Sequence, residues 1–126
     1  MSQAPIINSS AIDRLVKLGG SKFTLEMINL FNSYGAKKLA EARQACESGN
    51  LKALAAAVHP LKSSAGNVGA ERVQTLATEV ESLAAAGNAE AAGAQFSELE
   101  QAFAEAIAGL ESIRARLASV APETKP

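Results

Sequence analysis

Six apolar residues, Leu51, Leu54, Val58, Leu61, Ala65 and Val68, follow one another at steps of 3, 4, 3, 4 and 3. An extended strand would scatter this series over both faces, whereas an α-helix gathers it into one stripe. The spacing is that of a seam packed against neighbouring helices in a bundle. One such stripe cannot be buried by its own helix, so the rest of the chain must supply matching faces.

It does so in order. Ser10, with Asp13 three residues on, reads as the cap of a short helix that buries Ile12, Leu15 and Val16 and stops at Gly19-Gly20. Ser21 then caps a long helix to about Ser48, with Phe23, Met27, Leu30, Phe31, Tyr34, Leu39, Ala42 and Cys46 as its apolar positions. Gly35 inside it costs roughly 1 kcal/mol relative to Ala and marks a bend or a close-packing point. Gly49 ends that helix and Asn50 caps the seam helix, which Gly69 closes. A further helix starts near Ala70, with Glu71 at the positive end of its dipole and Val73, Leu76, Val80 and Leu83 as its seam. After Gly87, Asn88 caps the last helix, which carries Phe96, Leu99, Phe103, Ile107, Leu110, Ile113, Leu117 and Val120 and stops before Pro122. Gly93 weakens its first turns.

Connections this short force antiparallel neighbours. The expected fold is therefore all-α: an antiparallel up-down-up-down four-helix bundle with a short additional N-terminal helix. Residues 1–8 are expected to form a flexible leader, 9–120 the helical bundle and 121–126 a flexible tail. A length of 126 residues suits one domain, and the near balance of 12 basic and 13 acidic side chains argues against a nucleic-acid binder. No apolar run approaches the roughly 20 residues needed to cross a bilayer, and the N-terminus lacks the pattern of a secretory signal, so a cytoplasmic protein without membrane contact is expected. Cys46 has no partner for an internal disulfide and reads as a small apolar filler.

His59 is the only histidine, and it lies about 100° round the helix from Val58, outside the seam. Its own stripe holds Lys52, Ala55, Ala56, Lys62, Ser63 and Gly66. A face with two lysines belongs to solvent. His59 thus stands over a shelf of small residues onto which another protein surface can close. Lys62, one turn on, sets an ammonium on the same face; it suits an anion on the ring and favours the neutral, nucleophilic imidazole. A surface histidine without function is the plainer reading. A metal site lacks further ligands at suitable spacing, and a Ser-His-Asp site lacks partners.

The stretch "HPLKSSAGNVGA", from His59 to Ala70, resembles the signature of the histidine-containing phosphotransfer domains of bacterial two-component phosphorelays. The likeness extends from about Ile12 to about Leu117. It implies that His59 accepts a phosphoryl group from the aspartyl phosphate of a receiver domain and passes it to another receiver aspartate. It further implies that Lys62 neutralises the phosphoryl charge and that Ala55, Ala56, Ser63 and Gly66 leave room for docking. The expected partners are response-regulator receiver domains and a hybrid sensor histidine kinase. Mg²⁺ is expected on the receiver, and no cofactor or metal on this chain. Such a protein is a phosphocarrier, not an enzyme in its own right; beginning at Met1 with no second domain, it is expected to be a stand-alone monomeric carrier.

Two positions depart from the pattern. Ser63 stands where the family often has Gly, and it is small enough to preserve the shelf. Pro60 removes a helical hydrogen bond to the Ala56 carbonyl and clashes with it, at roughly 3 kcal/mol. Either the helix bends there or it breaks; the uninterrupted seam favours a bend. The competing functional readings are a sensor-kinase dimerisation helix, which an acidic residue after the histidine would mark, and a non-phosphorylated helical adaptor on the same fold.

Overall fold

The computed structural model describes residues 6–120, and they form four helices in sequence: α1 (Ser9–Glu47), α2 (Leu51–Asn67), α3 (Glu71–Ala85) and α4 (Ala89–Val120). Each helix packs on its chain neighbours, and α1 also packs on α4, so the four close into a ring around one core. Arg43 meets Glu100 and Phe31 meets Phe103 between α1 and α4, while His59 meets Glu81 between α2 and α3. The seam of α2 is the centre of the core: Leu54, Val58, Leu61, Ala65 and Val68 are all buried, facing Val73, Leu76, Ala77 and Val80 of α3. Each fully buried Val or Leu contributes about 1.5–3 kcal/mol.

The short N-terminal helix expected to stop at Gly19-Gly20 meets a kink in α1 at that point. Gly20, at φ 87° and ψ -179°, is not helical, and the two helical stretches of α1, before and after it, meet across this kink. Glycine accepts this geometry without the Cβ clash other residues suffer. The buried Thr24 hydroxyl donates to the Gly20 carbonyl at 2.9 Å, so the break leaves that oxygen satisfied. Ser21, expected as a cap, makes no side-chain hydrogen bond to helix N–H groups among the described residues. Nor does Ser10 cap α1: Asn8 does, its side-chain oxygen accepting from the Ser10 N–H at 2.9 Å.

Asn8, the last residue of the expected leader, also bonds to the turn between α2 and α3. Its N–H donates to the Gly69 carbonyl at 2.8 Å and its amide donates to Glu71 at 2.6 Å, pinning the entry of α1 to the α2–α3 turn. Ile6 and Ile7 lie beside Gly109 of α4. Residues 1–5 and 121–126, expected as leader and tail, fall outside the described residues.

The buried face of α1 runs through Thr24, Ile28, Phe31, Gly35, Leu39, Ala42 and Ala45. Leu30 and Tyr34, expected inside, are 60% and 40% exposed. The true stripe passes through two residues that apolar counting skips: Thr24, satisfied by its own helix, and Gly35, against which the Phe103 ring is seated. Gly35 is therefore a close-packing point, where the tilted Phe31–Phe103 pair (centroids 5.3 Å apart) fills the space a side chain would need. Cys46 packs at the edge of the same core, and burial followed by the Glu100 carboxylate pushes its thiol up, which suits a filler better than a nucleophile.

The remaining caps agree with expectation. Asn50 accepts from Ala53 N–H at 3.0 Å and Asn88 from Ala91 N–H at 3.2 Å. Gly49, Gly69 and Gly87 close the three turns at φ 71°, 78° and 80°. They differ in surroundings: a Cβ at Gly49 or Gly87 meets nothing, whereas at Gly69 it falls 2.6 Å from the Asn8 carbonyl oxygen. Gly49→Ala should therefore cost only the left-handed penalty, about 1–2 kcal/mol. Gly69→Ala should cost about 3 kcal/mol or more, because the Asn8 latch must also move. Denaturant unfolding of the two variants side by side measures the difference.

Candidate functional site

Helix α2 runs unbroken from Leu51 to Asn67 with Pro60 inside it, so the helix does not end at His59. With Val58 and Leu61 fully buried on the seam, the residue between them must turn outward, and the His59 side chain is 64% exposed. Its stripe falls as the spacing dictates. Lys52, Ala56 and Ser63 are exposed; Ala55, Lys62 and Gly66 are half-buried.

Across the helix hairpin stands a residue that sequence reasoning missed. Glu81 of α3 places one carboxylate oxygen 2.7 Å from His59 Nδ1 and the other 2.5 Å from Lys62 Nζ. The signal was present in the turn. Gly66 lies against Gln74; seven residues up α2 is His59, and seven residues along α3 is Glu81. Folding the two seams together at Gly69 brings them opposite each other.

The carboxylate decides the chemistry of the ring. Lys62 above all, opposed by burial as the second-largest effect and assisted by His59, holds the Glu81 carboxyl below its usual value of 4.5. Glu81 is therefore ionised at neutral pH and can only accept hydrogen bonds. The proton in its contact with His59 must sit on Nδ1. A neutral His59 then has its free lone pair on Nε2, which has no partner among the described residues and points away from the carboxylate.

Of the small-residue shelf, Ala56 and Ser63 are open. Gly66 is not: the Gln74 amide lies over it, a Cβ there falling 2.8 Å from Nε2 of Gln74, and that amide donates to the Lys62 carbonyl at 3.1 Å. The amide thus helps tie α3 to the backbone of the helical turn that carries Lys62. Tyr34 and Leu30 of α1 continue the surface on the other side of α2, lining an open apolar groove with Ser64 and Asn67. No group of three His, Cys, Asp or Glu side chains is arranged to hold a metal ion among the described residues. Nor is any described helix long and apolar enough to cross a membrane.

The sequence matches the family model of the Hpt domain over residues 26–109, two thirds of its length. The chain belongs to the Hpt domain family. Its coarse role follows: histidine phosphotransfer in a phosphorelay, as a phosphocarrier. The structure is similar to the crystal structure of histidine-containing phosphotransfer protein B from Pseudomonas aeruginosa PAO1, with a TM-score of 0.84 and 22% sequence identity, covering 90% of this chain and 98% of that one. That likeness is one of fold. No curated protein matches the sequence.

The Hpt match takes in His59, Lys62 and Glu81 together. Because Lys62 is the leading cause of the Glu81 shift, Lys62→Met should raise the Glu81 pKa more than His59→Asn does, as read by carboxyl ¹³C titration. The sign for stability follows from a depressed carboxyl. The tie between α2 and α3 contributes fully above pH 4.5 and is lost as pH falls through the lower folded value. Glu81→Gln should flatten that part of the acid unfolding profile.

Proposed function

We propose that His59 Nε2 is the phosphoryl carrier: it attacks the aspartyl phosphate of one receiver domain and later yields the group to the aspartate of another. The observation that supports this most directly is the Glu81 contact at 2.7 Å, which commits the proton to Nδ1 and leaves a nucleophilic lone pair facing solvent. Phosphoryl transfer needs in-line positioning and charge neutralisation more than covalent help. An exposed ring on a rigid helix supplies the first. Lys62, within one turn, supplies part of the second by turning from Glu81 to the incoming phosphoryl oxygens.

The receiver brings the remainder, an acidic pocket with its Mg²⁺, so this chain needs no metal of its own. Ala55, Ala56 and Ser63 form the shelf on which the receiver seats. Gly66 contributes by letting the Gln74 side chain lie flat rather than by direct contact. The partners are receiver domains and a hybrid sensor kinase in the cytoplasm, and the carrier acts as a monomer.

The test is transfer from a phosphorylated receiver, in Mg²⁺, to the wild-type chain and to His59→Gln. Acid-labile, base-stable label is expected on the wild type and absent from the variant. Equal labelling of both places the carrier elsewhere; no label on either, with intact receiver binding, favours an adaptor. Ser63→Trp should slow transfer by at least tenfold with its melting temperature unchanged, since Ser63 is exposed. A normal rate in that variant would move the docking face away from this shelf.

A further inference from the structure

The transfer chemistry raises the question of one proton. Resting His59 carries it on Nδ1, against the Glu81 carboxylate. Attack through Nε2 forms the N–P bond, breaks the O–P bond of the acyl phosphate and leaves the receiver carboxylate. Nothing in this step removes the Nδ1 proton, so the product ring is a phosphoimidazolium cation. An imidazolium exposed to water sheds such a proton around neutral pH. Once it is shed, cleaving the N–P bond must expel an imidazolate, a far poorer leaving group than neutral imidazole.

We propose that Glu81 is a positioning residue that holds the Nδ1 proton on phosphorylated His59, keeping the ring a competent leaving group for the return transfer to a receiver aspartate. This inference rests on the reading of His59 as the carrier. Its geometry is already built. The carboxylate oxygen lies 2.7 Å from Nδ1, on the side of the ring away from Nε2, so it accepts the proton's hydrogen bond without occupying the attack site. Lys62 is held on the other oxygen of the same carboxylate and has only 32% of its side chain exposed. Once the phosphoryl group draws the ammonium away, the full Glu81 charge is left to the imidazolium. The proton then stays on one nitrogen through the cycle, and none need be exchanged with solvent in either direction.

Few other charges bear on the ring. On α2, Lys52 lies two turns before His59 on the same stripe. On α3, Glu79 is exposed and no ion pair joins it to the site. On α1, Lys37, Lys38 and Glu41 follow Tyr34, which lines the groove together with Ser64, and Lys38 and Glu41 are paired with each other at 3.1 Å. Among the described residues only Glu81 and Lys62 complete contacts in the His59 cluster.

The test uses the full chain, ¹⁵N-labelled at histidine and phosphorylated with phosphoramidate, which needs no receiver. The Nδ1 resonance is followed against pH in wild type, Glu81→Gln and Glu81→Asp. The wild-type proton should be lost at least one pH unit higher than in Glu81→Gln, with Glu81→Asp recovering part of the difference. A chase into unphosphorylated receiver should be equal at pH 6 and about tenfold slower for Glu81→Gln at pH 8.5. Coincident titrations, or rate profiles that fall together, overturn the proposal; so does failure of phosphoramidate to label His59. Separated titrations with no transfer to any receiver would uphold the proton-holding role and count instead against the carrier reading.

Discussion

The packing of α2 on α3 is the interaction from which the site follows. Val58, Leu61, Ala65 and Val68 on one helix and Val73, Ala77 and Val80 on the other are almost wholly excluded from water. Burial at this seam fixes the rotation of both helices, and rotation decides what each shows to solvent. His59 sits between two buried seam residues and Glu81 directly after one. Neither has freedom to be elsewhere once the seam is closed. The turn at Gly69 sets the register, and the Asn8 latch on the Gly69 carbonyl and on Glu71 secures that turn from the N-terminal side.

The site that results divides its charges economically. One carboxylate serves two cationic or proton-bearing neighbours, and its ionisation is secured by the first of them, Lys62. The ring is oriented without being buried, which suits the proposed carrier role: a reacting atom must be reached by a partner that brings its own catalytic apparatus. A deeply enclosed histidine would be better shielded but could not enter another protein's pocket. The small residues around His59 suit the same proposal, since a large side chain there would hold the two reacting atoms apart.

Much of this could be read from the sequence because it is carried by local rules. The 3-4 seam of α2, the Asn caps at 50 and 88 and the glycines at 49, 69 and 87 each state their structure through nearest-neighbour chemistry. The outward aim of His59 followed from its place between Val58 and Leu61. What escaped was non-local. Glu81 is unremarkable on its own helix and gains meaning only when the hairpin register is applied. The inner face of α1 was misjudged at Leu30 and Tyr34 because Thr24 and Gly35, poor core residues by composition, are core by geometry. Gly66 looked like open shelf until Gln74 was placed over it. Pro60 left a bend and a break both open on paper; the helix is continuous, carried through by the seam on either side.

The central claim is that Nε2 of His59 is the atom that carries the phosphoryl group. Long-range ³¹P and ¹⁵N correlation spectra of the chain phosphorylated by a receiver test it at atomic level. The account predicts phosphorus coupled to Nε2 of His59, with Nδ1 free of phosphorus and facing Glu81. Phosphorus on Nδ1, or on any other residue, would contradict it.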